Sequence, residues 1–200
     1  FQENAMNWDT TALMFLDMQN DFLHADGAYA RGGATSDHLA VLPARLQPLA
    51  DHVRKKGGWI VSTHFTLISG KGGDPFISDH LKKLRPFLGK GDFAPGSWGH
   101  ALLDDLAPAD LSVDKVAYSA FYMSRLEWAL RTAGIKHIIG AGIVTNGGVT
   151  STIRDAHVHG YESTVLEDGC AAFDTQVHKT SIDALRSVAA IATISDILKE

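Results

Sequence analysis

Short unbroken apolar runs alternate along this chain with longer stretches whose apolar residues recur every three or four positions. The runs "TALMFLD" (11–17), "WIVSTHF" (59–65), "SVDKVAYS" (112–119), "KHIIGAGIV" (136–144), "ESTVLED" (162–168) and "IATIS" (191–195) predict strands. Helical spacing predicts helices over 38–58, 124–134, 148–160 and 177–190, with a shorter one over 97–107 and a last helical turn at 196–200. Ser124 reads as an N-cap, while Lys55-Lys56-Gly57-Gly58, Gly134 and Gly160 read as stops. Residues 66–96 are rich in Gly, Lys, Asp and Pro and predict a long irregular segment, a lid or pocket wall. Strands buried along their whole length and alternating with helices imply a mostly parallel sheet with helices on both faces, an α/β fold.

Composition narrows the function classes. The chain has 200 residues, 45% of them hydrophobic and 20% charged, which suits one globular domain with a large core. A formal net charge of -5 with no basic run argues against nucleic acid as a partner. No apolar run approaches the ~20 residues of a membrane span. The lone Cys170 leaves no internal disulfide and fits a cytoplasmic location. Residues 1–5 read as the remnant of an expression tag, no signal peptide is visible, and residues 6–200 are expected to form a single domain.

In a parallel sheet, ligands bind beyond the carboxyl ends of the strands. The residues expected there are Asp17 with Gln19, His64, Lys115, Asn146 to Gly148, and Asp168 to Cys170. Asp17 closes an apolar strand, where a carboxylate is costly without a partner, and Lys115 is the natural one. At ~4 Å and an effective dielectric of ~20 their attraction is about 4 kcal/mol before desolvation. Such a pair is equally readable as a buried structural bridge. The Asn146-Gly147-Gly148 turn lets backbone N–H groups approach an anion at a helix start, and it is also readable as a plain tight turn. Cys170 reads either as a displaced nucleophile or as a small buried residue.

Three segments in order carry a family resemblance: "LDMQNDF" (16–22), "DKVAYSAFYMSRLE" (114–127) and "GIVTNGGVTSTIRDAHVHGYE" (142–162). Together they resemble the isochorismatase-like hydrolase superfamily from about Thr11 to Ile197. The resemblance implies a three-layer α/β/α, Rossmann-like fold around a central six-stranded sheet. It also implies Asp17 and Lys115 as catalytic residues, a small-molecule substrate and a homodimer or homotetramer. Most members are cysteine hydrolases that cleave amides, and the position matching their nucleophile is Gly148 here. Isochorismatases also carry glycine there and protonate a vinyl ether, but their strand end reads Tyr-Ala-His where this chain has Val144, Thr145 and Asn146. The chain thus combines amidase framing with an isochorismatase-like vacancy.

The expected function is hydrolysis of a small, anionic metabolite without a cysteine nucleophile, by Asp17/Lys115-assisted water attack or vinyl-ether protonation. Two alternatives stay open: a catalytically silent ligand-binding homologue, and a cysteine amidohydrolase whose nucleophile at 148 has been replaced. Gln19, His64, Trp98, Tyr118, Phe121, Val144, Thr145, Asn146 and Gly147 are the expected pocket residues. Zinc-dependent nicotinamidases in the superfamily use an Asp-x-His…His arrangement that "STHFTLISGKGGDPF" lacks, so no metal and no cofactor are expected.

Overall fold

A computed structural model of the chain describes residues 6–200; the expected tag remnant, residues 1–5, lies outside the described residues. The strands are β1 Thr11–Leu16, β2 Trp59–Phe65, β3 Leu111–Lys115, β4 His137–Ile143, β5 Glu162–Ala171 and β6 Ala190–Ala192. They form one six-stranded sheet in the order β3-β2-β1-β4-β5-β6, and every neighbouring pair is parallel. The chain therefore winds outward from β1 in one direction and from β4 in the other. The carboxyl ends of β1 and β4 flank the point where the winding reverses, which is where a parallel sheet opens a crevice.

The helices are α1 Asn20–Leu23, α2 Ala28–Arg31, α3 Asp37–Ala40, α4 Leu42–Lys56, α5 Asp79–Leu84, α6 Leu126–Thr132, α7 Thr150–Val158, α8 Thr175–Leu185 and α9 Ile194–Ile197. Strand alternation sorts the core into two layers. Leu13, Phe15, Ile60, Ile139 and Leu166 pack against Leu42, Leu46 and Leu49 of α4 and Ile194 and Ile197 of α9. Met14, Leu16, Val61, Val113, Ile138 and Val165 pack against Leu126 of α6, Ile153 of α7 and Ile182 of α8. No described helix is long and apolar enough to cross a membrane.

The structure departs from the sequence expectation in several places. Residues 97–107 form turns instead of a helix, because their backbone is engaged by the loop after β1: Asn20 N–H donates to Ala101 O, Asp21 N–H to Gly99 O and Leu103 N–H to Met18 O. The predicted 38–58 helix is split into α3 and α4 near Pro43, and α4 stops at Gly57, whose φ is 84°. Within 66–96, α5 forms because Ser78 caps it, accepting from Leu81 N–H. β3 ends at Lys115, whereas β5 runs on to Ala171 after a register shift between Gly140 and Gly142.

Candidate active site

Asp17 leaves β1 with φ 57°, a left-handed conformation that aspartate tolerates better than most residues. Its side chain, 7% exposed, accepts from Lys115 Nζ at 2.7 Å on Oδ2 and from the Thr63 hydroxyl at 3.0 Å on Oδ1. Lys115 is 2% exposed and also donates to Ala117 O at 2.9 Å. Three adjacent strands, β1, β2 and β3, thus aim one group each at a single point. Burial pushes the Asp17 carboxyl above its ordinary value, against the opposing pull of Lys115 and Thr63.

β4 delivers the other wall. The Ile143–Val144 peptide is cis, and Thr145–Val149 form one wide turn in which Val149 N–H donates to Val144 O at 3.3 Å. Wide turns of this kind concentrate at functional sites. α7 follows directly, so its N-terminus faces the crevice. A Cβ placed on Gly148 would lie 3.3 Å from Asp17 Oδ2 and 3.2 Å from Ile143 O. Position 148 is therefore the point of the turn that looks onto the carboxylate.

A cavity of about 500 Å³ opens over this point, within the range of small-molecule sites. Of the residues singled out in the sequence, Asp17, Lys115, Tyr118, Val144, Asn146, Gly147 and Gly148 line it. Five expected residues do not. Gln19 is buried behind the site, where its amide clamps the Phe65 backbone and His100 O. His64 turns away from the cavity, bonded to Ser62 Oγ at 2.8 Å. Trp98 is 50% exposed and meets His24 edge-on instead. Phe121 stacks on His159 within the core. The Thr145 hydroxyl bonds His178 Nδ1 at 2.8 Å, below the wall.

Sequence reasoning expected a pocket wall from 66–96, which supplies Arg85, but named none of the residues of the opposite wall. Tyr29, Phe65, Arg85, Phe173 and Asp174 line it, drawn from α2, β2, the end of α5 and the loop before α8. The Arg85 guanidinium lies 5.0 Å from the Phe173 ring centroid and 5.4 Å from that of Tyr29. Its buried Nε has no hydrogen-bond partner among the described residues. Arg85 lies within 66–96, the expected lid or pocket wall, but nothing in its local pattern singles it out.

Cys170 is buried outside this cavity, and burial pushes its thiol up to about 12, so it stays a neutral, inert side chain. Asp168 accepts from Ile194 N–H at 2.8 Å and fixes the start of α9. His64 gathers with His100 and Asp114 beside the site, and burial lowers its imidazole to about 4. A larger hollow of about 710 Å³ lies among Thr10, His137, Glu162 and Ala190, at the amino ends of the strands. That edge lacks the convergent strand-end groups that meet at Asp17.

The profile of the isochorismatase domain matches residues 11–196. The chain belongs to the isochorismatase family. Among its relatives, this family member is 33% identical over 172 residues to the ureidoacrylate amidohydrolase RutB of Caulobacter vibrioides, covering 80% of this chain and 76% of that one. The RutB of Acinetobacter baylyi is 30% identical over 195 residues, covering 87% and 76%. Among solved structures, a cysteine hydrolase from Pseudomonas syringae pv. phaseolicola superposes with a TM-score of 0.83 at 22% identity, covering 98% of this isochorismatase-family chain and 94% of that one.

Proposed function

We propose that this chain hydrolyses a small anionic metabolite with water, not a side chain, as the nucleophile. The observation that carries this reading is the position of Gly148, whose missing Cβ would stand 3.3 Å from Asp17 Oδ2. In a cysteine hydrolase of this architecture a thiol at 148 would give its proton to that carboxylate. With hydrogen in its place, the space beside Asp17 suits a water molecule. Asp17 then takes the water's proton as it attacks, and Lys115 compensates the charge that passes through the pair. For a vinyl ether, a protonated Asp17 instead gives its proton to the enol carbon, and water adds to the cation. In the water-attack route, N–H groups of the 145–148 turn other than that of Gly147, which donates to Val144 O, meet the developing negative charge at the start of α7.

Arg85 supports an anionic substrate. It lines the cavity opposite Asp17, stacked on two rings, and forms no carboxylate pair among the described residues. Similarity to two ureidoacrylate amidohydrolases favours a C–N bond in a ureido-type carboxylate as the scissile group. It equally supports a second reading, an amidohydrolase whose nucleophile has been replaced by Gly148.

One product assay by mass spectrometry separates the readings. The unaltered protein and its Gly148→Cys variant are each incubated with ureidoacrylate, isochorismate and neutral amides. Turnover by the unaltered protein, lost in Asp17→Asn, is expected. Turnover by Gly148→Cys alone would establish the replaced-nucleophile reading. Ligand-induced thermal stabilisation without turnover by either would leave a binding protein.

A further inference from the structure

His64, His100 and Asp114 take no part in the reaction proposed above, yet they converge. His64 and Asp114 are register partners on β2 and β3, so their side chains leave the same face of the sheet side by side. The next pair, Phe65 and Lys115, turns to the other face and into the cavity. His100 arrives from the turns of 97–107, with Nε2 3.5 Å from Asp114 Oδ1 and its ring centroid 5.1 Å from that of His64. One ligand atom from each of the three lies within 4.8 Å of the others.

We infer that His64, His100 and Asp114 bind a divalent transition-metal ion, back to back with the active site across the β2–β3 strand ends. Two imidazoles and one carboxylate suit Zn²⁺, Co²⁺ or Ni²⁺ and not Mg²⁺ or Ca²⁺, which want oxygen ligands. Bonds of ~2.0–2.1 Å in a tetrahedral site place ligand atoms about 3.3 Å apart, so the widest gap closes by about 1.5 Å at most. Asp114, whose side chain is 56% exposed, supplies both an entry path and room for a water ligand. The two rings are already held: Ser62 Oγ lies 2.8 Å from His64 Nε2, and Thr66 Oγ1 lies 2.8 Å from His100 Nε2. An ion that takes either Nε2 displaces the hydroxyl bonded there, and one that takes Nδ1 leaves that hydroxyl as the outer contact that orients the ring. The expectation of no metal rested on one local spacing. These ligands come from three separate segments, so no spacing announces them.

The ion would pin the loop that carries His100 to the strand ends that carry Thr63 and Lys115. Its test needs no substrate. Chelator-treated protein is titrated with Co²⁺ and followed by visible absorption, then with Zn²⁺ by calorimetry and thermal melting. The expected result is one ion per chain, Co²⁺ bands that Zn²⁺ abolishes, and a higher Tm with Zn²⁺. His100→Gln and Asp114→Asn should each weaken binding by about tenfold or more. Asp114→Asn changes a half-exposed group, and far-UV circular dichroism confirms that it folds. The inference is overturned if the unaltered protein binds neither ion saturably. It is also overturned if both variants keep its stoichiometry and affinity, which would place the ion on other histidines.

Discussion

At the scale of single residues, the proposed reaction rests on Asp17, where two opposed effects meet. Burial favours its neutral form; Lys115 at 2.7 Å and Thr63 at 3.0 Å favour the charged one. Burial prevails, so its titration moves above the usual carboxylate value of about 3.9. The sign of the pH profile then separates two chemistries. If Asp17 accepts a proton from water, kcat/KM falls as pH drops through the raised pKa. If Asp17 donates a proton to a vinyl ether, kcat/KM falls as pH rises through it. Asp17→Asn should erase that limb and slow turnover by about 10²- to 10⁴-fold while the fold persists. A limb that survives in Asp17→Asn would belong to another group. Asp17 was legible in the sequence because it is a charge closing an apolar run, which locates it at a strand's carboxyl end; Lys115 was picked out as its partner from inside the predicted strand 112–119, whose end the structure moves back to Lys115. Cys170 was ambiguous in sequence, and only its burial decides that it is inert.

At the scale of elements, β4 and the turn after it show what periodicity can and cannot reveal. The apolar run 136–144 predicts a buried strand, and His137–Ile143 form one at the centre of the sheet. What periodicity does not show is why the strand contains Gly142. Its φ is 129°, and a Cβ there would stand 2.2 Å from Leu16 O, immediately before Asp17. Glycine lets β4 press against the end of β1, which sets the Gly148 turn at its distance from the carboxylate. Gly142→Ala should therefore cost about 3 kcal/mol from backbone strain and overlap together. Urea denaturation would show it as a lower midpoint with an unchanged slope. A midpoint matching the parent's would mean that the contact is not tight in solution. The predicted 97–107 helix failed for the complementary reason. Its spacing is helical, but its carbonyls and N–H groups pair with residues 18–21, a partner that no local pattern encodes.

At the scale of the whole molecule, the site exists because winding reverses between β1 and β4 and a long segment folds over the gap. The alternation of strands and helices made the sheet, its helical layers and the edge where the cavity opens legible. Of the far wall only the 66–96 segment was legible; its individual residues were not, because Tyr29, Arg85 and Phe173 reach it from separate segments whose local patterns single out no side chain. Nothing in the local pattern of 66–96 singles out Arg85, yet its guanidinium is sandwiched against two aromatic rings with Nε unpartnered among the described residues. A cation so placed is under-used until an anion arrives, and a charged hydrogen bond is worth about 1.5–3 kcal/mol. Arg85→Gln should raise KM for a carboxylate substrate by roughly 10- to 100-fold and leave kcat nearly unchanged, since the contact is equal in ground and transition states. Its KM for the matching neutral amide should barely move. Steady-state kinetics on such a substrate pair decides the matter: an equal loss on both would make Arg85 a support of the cavity's shape, and a loss confined to the anion makes it the group that selects charge.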